Sequence, residues 1–394
     1  MSKKSYNEQS LSASETSRQR MRTGVRRIVV KAGSRVLVDD HGRPDPERIA
    51  RLTDQMAALR AQKYELIFVS SGAIAAGVQK LGWSQRPVHL PELQMAAAVG
   101  QGVLLNMYAS LLAAHDCQLG QVLLTHGDLN DRVRHLNARN TMMAMLRHGI
   151  LPLVNENDVV AVDEIRFGDN DLLAAMVSAL VDADLLVLLT TSDGLYRTEQ
   201  GKLVERIPVL DDITDETLSM AQGKGSTWSS GGMASKLQSA DRAVRAGTPV
   251  VIANGHEPDI LHRILAGDDV GTLISGNGER SRWNARKKWI AFFHRSQGSI
   301  YVDEGAGRAI CEQGNSLLPV GVQRVEGRFS AGALVHIRTI DGKTLAKGLT
   351  AYSRDEVERI LGRRSHEIAS ILGERHHKEV IHRDNMVVQL SQTR

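Results

Sequence analysis

The chain has 394 residues, 42% of them apolar and 4% aromatic, with a formal net charge of +4. That length exceeds one ordinary domain and predicts two or three, with cores built on Leu, Val, Ile, Ala and Met. No run approaches the roughly 20 apolar residues that span a bilayer, and the N-terminus lacks the apolar stretch of an export signal, so the sequence predicts a cytoplasmic protein without membrane contact.

Residues 1–22 hold six serines and five Lys/Arg. They lack the apolar surface that offsets ordering entropy and read as a disordered tail. From Arg26 apolar runs alternate with amphipathic ones. Ile28-Val29-Val30 predicts a strand, and Asp45-Pro46 opens a helix through about Gln62, with Asp45 as N-cap and Pro46 in its first turn. Leu66 to Val69 predicts the next strand, ending at Ser70-Ser71-Gly72-Ala73 and an Ala-rich helix. Pro91 to His115 predicts a long helix, followed by a strand at Val122 to Leu124, a helix at His135 to Arg147 and a strand at Ile150 to Val154. Helices at Asp169 to Val181, Met233 to Ala246 and Pro258 to Leu265 alternate with strands at Leu185 to Leu189 and Pro249 to Ala253. Near-continuous apolar strands between helices imply an α/β fold, an αβα sandwich around a largely parallel sheet. Ligands in that architecture gather at the carboxyl edge of the strands.

The pattern changes after about Arg286. Trp289 to Phe293, Ser299 to Val302, Gly321 to Val325, Ala333 to Arg338 and Thr344 to Leu349 are short β-type runs between Gly-containing turns. Ser353 and Glu356 then form a capping box. The expected organisation is a tail at 1–22, an α/β domain at 23–278, a linker at 279–290 and a small β-rich, barrel-like domain at 291–385. Residues 23–279 carry 24 Lys/Arg against 31 Asp/Glu, whereas 280–394 carry 20 against 12. A basic module on an acidic body fits a polyanionic partner, and equally a solvated basic face. Cys117 and Cys311 show no metal-type spacing and read as reduced, buried small residues.

The most informative stretch joins Asn155-Glu156-Asn157-Asp158 to Gly168-Asp169-Asn170-Asp171. An apolar strand that breaks into carboxylates and amides suits a small zwitterion, because carboxylates hold an ammonium and amides donate to a carboxylate. Lys31 precedes Ala32-Gly33-Ser34, where glycine admits an anion to the backbone beside a positive charge. Lys236 closes Ser230-Gly231-Gly232-Met233-Ala234-Ser235-Lys236, a turn opening a helix whose free N–H groups suit phosphate. Each also has an ordinary explanation: a solvated strand-end lysine, a first-turn acid at Asp171, an N-cap at Ser71, a tight turn at Thr190-Thr191-Ser192-Asp193-Gly194. No Walker-type match is present.

Taken together, Val29 to Ser34, Ser71 to Gly77, Leu136-Asn137-Ala138-Arg139, the two acidic clusters, Gly231 to Lys236, Val302 to Ala306 and Ser316 to Pro319 resemble the glutamate 5-kinases. These are a branch of the amino acid kinase family that carries a C-terminal PUA domain. The resemblance spans about residues 25 to 385 in consistent order. It implies ATP-dependent phosphorylation of the γ-carboxylate of L-glutamate, the opening step of proline biosynthesis. By position, Lys31 and Lys236 would neutralise charge on the transferred phosphoryl group while Asp171 holds both lysines. Ser71, Asp158 and Asn170 would contact glutamate with Asn155 nearby. Thr190, Thr191, Ser230, Gly231, Gly232, Met233, Ala234, Ser235 and the two lysines would line the nucleotide pocket. Mg2+ would bridge ATP phosphates with few protein ligands. The family further implies homo-oligomers (dimer or tetramer), inhibition by proline, and a glutamyl phosphate reductase as a possible partner. Two positions depart from its pattern: Thr191, where an acidic residue is usual, and Arg35, where a small hydroxyl residue is usual. The rivals are another small-acid kinase of this fold, against which the β-rich module argues, and an RNA-binding protein, against which sparse stacking aromatics argue.

Overall fold

In this computed structural model, residues 18–19, 23–161, 170–199, 202–214, 217–218, 232–276, 290, 296–373 and 377–388 are described. The first apolar run forms β1 (Arg27–Ala32), buried from Ile28 to Ala32. A helix, α1 (Pro46–Ala61), follows, and the Asp45 carboxylate accepts from the Glu47 and Arg48 amides. Such a cap contributes about 1 kcal/mol. Then come β2 (Glu65–Ser70), α2 (Ala73–Lys80), α3 (Leu90–Ala113), β3 (Leu119–Leu124), α4 (Arg132–Arg147) and β4 (Leu151–Glu156). The series continues with α5 (Asn170–Leu180), β5 (Leu185–Thr190), β6 (Tyr196–Glu199), β7 (Lys202–Arg206), β8 (Val209–Leu210), α6 (Met233–Arg245), β9 (Val250–Asn254), α7 (Ile260–Ala266) and β10 (Thr272–Ile274).

Eight strands make one sheet in the order β3-β4-β2-β1-β5-β9-β10-β8. All its pairings are parallel except β9 with β10. Alternate residues of β1, β2 and β5 join a core with α1, α3 and α7. On the other set of positions α5 touches β1, β2, β4 and β5 and packs against α6. Helices thus cover both faces, as near-continuous apolar strands require.

Two glycines set the approach of α2 to α3. A Cβ at Gly77 would lie 1.8 Å from the Ala96 carbonyl oxygen, and one at Gly100 would lie 1.8 Å from that of Ala73. The two helices therefore cross with backbones in contact.

Four expectations change. The helix at His135 begins at Arg132, because Asp131 accepts from the Val133 and Arg134 amides. The β6–β7 hairpin escapes a reading based on core periodicity because it stands off the main sheet with Leu203 and Val204 exposed. The 24-residue α3 is long and apolar enough to cross a membrane. It nevertheless carries Glu92, Gln94, Gln101 and Asn106 and buries Leu93, Ala96, Leu104, Tyr108 and Leu112 within the domain. Cys117 is buried as expected, but Cys311 is exposed, because it ends a short helix whose buried residues are Gly307 and Ile310.

The chain divides into two compact units, residues 1–282 and 283–394. The expected linker and the run at Trp289 to Phe293 lie outside the described residues, except Ile290. In the second unit, β11 (Gly298–Val302), α8 (Glu304–Cys311), β12 (Val322–Gly327), β13 (Leu334–Thr339), β14 (Thr344–Leu349), α9 (Arg354–Ile360) and β15 (Met386–Val388) build a sheet ordered β12-β11-β13-β14-β15. Its edge strands β12 and β15 do not pair with each other among the described residues. The Glu356 carboxylate accepts from the Ser353 amide and hydroxyl, both at 2.9 Å, which completes the expected capping box.

Candidate active site

Register brings the strand ends to one level. Ala32 lies beside Ser70 and Leu189, Val69 beside Val154, and Thr190 beside Asn254. Lys31, Ser71, Asn155 and Thr190 therefore meet at the carboxyl edge of the parallel sheet, where crevices form in this architecture.

The centre is an ion triplet. Asp171, the second residue of α5, has its Oδ1 2.5 Å from Lys31 Nζ and its Oδ2 2.8 Å from Lys236 Nζ. The side chains of Lys31, Asp171 and Lys236 are 5%, 3% and 10% exposed. Burial pushes the Asp171 carboxyl up, but the two lysines outweigh it and hold the group below the ordinary carboxylate range. Two cations on one anion leave a net positive charge in a nearly dry place, the condition under which charge binds a developing anion most strongly. Gly33 keeps the approach open, since a Cβ there would stand 3.5 Å from Lys31 Nζ.

Beside the triplet is a network of amides. Asn170 Nδ2 shares its two N–H groups among the Ser70 carbonyl at 2.8 Å, Ser71 Oγ at 3.0 Å and Asn155 Oδ1 at 2.9 Å. The N-cap of α2 is Gly72, held at φ +99° in the left-handed region, so Ser71 is not the cap and its hydroxyl faces Asn170 instead. Asn155 Nδ2 donates to Gln101 Oε1 at 2.7 Å, and its Oδ1 also accepts from the Glu156 amide. Both ends of the Asn155 side chain are thus engaged by protein. Asp158 sits half-buried in the turn after β4, and its carboxyl is pushed up to about 6 by burial, against the opposing pull of Arg86.

On the other flank, Thr190 ends β5 and leads into the turn to Gly194. Asp193 accepts from Asn254 Nδ2 at 2.8 Å, and Ser192 Oγ donates to the Gly194 carbonyl. Thr191 is exposed, as is Arg35 on the one-turn helix Ser34–Leu37. Gly232 caps α6, with Met233 to Ser235 half-buried and Lys236 buried in the first turn. Ser230 and Gly231, together with Gly168 and Asp169, lie outside the described residues.

Gln101 and Asn254, which fix the Asn155 amide and the Asp193 turn, escape the sequence reading. The legible signal is a polar residue in the apolar stretch Val99 to Leu105 for the first, and a polar end to an apolar strand for the second.

The amino acid kinase family model matches residues 26–254, and the PUA domain model matches residues 298–372. The chain is 44% identical to a glutamate 5-kinase of Moorella thermoacetica over 365 residues, covering 92% of this chain and 96% of that one. A glutamate 5-kinase of Trichlorobacter lovleyi is 45% identical and one of Methylobacillus flagellatus 46%, each covering 92% of this chain and 97% of its own length.

Proposed function

The chain belongs to the glutamate 5-kinase branch of the amino acid kinase family, and on that premise we propose that it transfers the γ-phosphoryl group of ATP to the γ-carboxylate of L-glutamate in the opening step of proline biosynthesis. The observation that carries the proposal for these residues is the Lys31–Asp171–Lys236 triplet at the carboxyl edge of the sheet.

A γ-carboxylate oxygen attacks the γ-phosphorus, the bond from that phosphorus to the bridging oxygen breaks, and its electron pair leaves with ADP. No base is needed, because a carboxylate is ionised near neutral pH. The barrier lies in bringing two anions together and in the charge that develops between them, so positioning and electrostatics carry catalysis. Lys31 and Lys236 neutralise the equatorial phosphoryl oxygens, and Asp171 is the positioning residue that aims both ammonium groups. Preorganised charges of this kind need little reorganisation at the moment of reaction. Ser71, Asn170 and Asp158 hold glutamate, with Asp158 matched to its ammonium. Asn155, whose amide is bound to Gln101 and Asn170, supports this group from behind. Thr190, Thr191 and the turn into α6, Ser230 to Lys236, line the nucleotide side.

The cationic donor set of the triplet suits phosphate oxygens. Mg2+ would be held chiefly by the ATP phosphates. When bound, it supplies further neutralisation of phosphate charge. Feedback inhibition by proline at or over the glutamate site, homo-oligomers, a reductase that takes up the labile acyl phosphate and a cytoplasmic location complete the reading, with a structural or regulatory role for the second unit.

The test is ATP turnover with hydroxylamine trapping, comparing L-glutamate with N-acetylglutamate and aspartate, with and without proline. Hydroxamate with glutamate alone, falling on addition of proline, is the expected result. Hydroxamate with one of the other acids instead would reassign the substrate, and none with any acid would remove the activity.

A further inference from the structure

The composition of residues 1–22 predicts a solvated tail, yet Arg18 departs from it. Its side chain is 3% exposed, although it precedes the stretch that the amino acid kinase family model matches. One guanidinium nitrogen donates to the carbonyls of Asp268 at 2.7 Å and Val270 at 3.0 Å. The other donates to Pro208 at 3.0 Å and Gly271 at 3.2 Å, and lies 3.1 Å from Asp269 Oδ1. Four carbonyls and a carboxylate around one planar fork make a built socket, with the geometry that suits arginine and not lysine. Arg206 also donates to the Gly271 carbonyl and, at 2.7 Å, to Asp269 Oδ2.

The socket lies one residue from the expected nucleotide turn. Thr272 follows Gly271, and its Oγ1 accepts from the Leu195 amide at 2.8 Å and donates to the Ile207 carbonyl at 2.6 Å. Ile207 in turn donates its amide to the Leu195 carbonyl at 2.7 Å. Leu195 ends the Thr190–Gly194 turn, and a Cβ on Gly194 would stand 2.6 Å from Thr272 Oγ1. Arg18 thus joins the 207–208 strand connection to the 268–271 turn, and these two segments clamp Leu195 between them.

We propose that Arg18 is a brace for the nucleotide site. Arg18 is a positioning residue: it locks the carbonyl socket at Pro208 and Asp268–Gly271 and thereby holds the Thr190–Gly194 turn in its ATP-binding shape. This rests on the nucleotide role given to that turn above. A side chain that orders a binding loop acts on ligand affinity with little effect on a chemical step performed elsewhere.

The experiment compares the full-length chain with Arg18→Ala and Arg18→Lys. Arg18→Ala is expected to raise KM for ATP roughly three- to tenfold, while kcat and KM for glutamate stay within about twofold. Amide hydrogen exchange should speed up at residues 191–195 and remain unchanged in β1 and β2. Arg18→Lys keeps the charge but lacks the fork, so it should fall between the two, and it decides the matter if the alanine variant does not fold. Unchanged KM for ATP and unchanged exchange at 191–195 in a folded variant would overturn the brace, as would KM values for both substrates rising in parallel. If the unaltered protein shows no glutamate-dependent turnover, the activity reading fails. The exchange comparison needs no turnover and still decides whether Arg18 holds the turn.

Discussion

The two units of this chain bury different things. The first places Lys31, Asn155, Glu156, Asn170, Asp171 and Lys236 below the surface at one end of its sheet. In the second, tyrosine hydroxyls aside, Thr350 is the one buried polar side chain among the described residues, and its hydroxyl donates to the Tyr352 carbonyl. That unit has a core of Ile300, Val335, Ile337, Tyr352, Val357 and their neighbours. Burying ions is costly, and a buried ion pair is weak evidence for stability. A domain that keeps two buried ammonium groups within 2.8 Å of one buried carboxylate is therefore not explained by stability alone. On the proposed reading, the contrast sets the unit that holds the catalytic charges against one given a structural or regulatory role.

The contrast breaks most directly at the lysines. Lys236→Ala should lower kcat about 10²–10³-fold, roughly 3–4 kcal/mol of transition-state stabilisation, with KM for glutamate little changed. Initial rates in the hydroxamate assay check this, and a loss under tenfold would remove Lys236 from the catalytic group. Asp171→Asn should cost about 3–5 kcal/mol of stability by leaving two buried ammonium groups without their anion. Its pH dependence has a definite sign. Because the folded-state pKa is depressed, the contribution of Asp171 to stability is present above the unfolded value near 4 and is lost as pH falls through the lower folded value. Chemical denaturation from pH 7 to pH 3 should show the wild type losing more stability than the asparagine variant. In the second unit, Ile337→Ala should cost about 2–5 kcal/mol through cavity formation while leaving kcat per folded molecule intact. A matching loss of kcat would end the division of labour.

Much of this was legible beforehand, for identifiable reasons. The strands of the main sheet are almost wholly apolar, and Asp45-Pro46 and Ser353 with Glu356 announce helix starts by local hydrogen bonding alone. The triplet partners were legible as types, since lysines after a strand and before a helix, with an acid in a first turn, suit phosphate. Their meeting came only from the family resemblance, because Asp171 and Lys236 are 65 residues apart and nothing local records the approach. The engaged state of Asn155 was hidden for the same reason: its partner Gln101 sits 54 residues earlier on a helix read only as apolar. Arg18 could not be singled out because composition averages over a segment, whereas one guanidinium can find four carbonyls in distant turns.

The smallest expected effect sets Asp158 against Asp171. Both carboxyls are desolvated, but Asp171 has two cations in contact, whereas Asp158 is left at about 6 against the weaker pull of Arg86. For an acid whose folded pKa is raised, the sign reverses: stability is lost as pH rises from the unfolded value near 4 through about 6. Burial disfavours ionised Asp158 in the free enzyme, and on the role proposed for it a substrate ammonium would offset that cost. On that role glutamate binds the ionised form, and KM for glutamate should rise about tenfold between pH 7 and pH 5, in inverse proportion to the ionised fraction. Asp158→Asn should raise KM at pH 7 and flatten its pH profile over that range. A wild-type KM that stays level from pH 7 to pH 5 would mean that the ammonium is met elsewhere, and that the Asp158 carboxyl shapes the turn after β4 without touching the substrate.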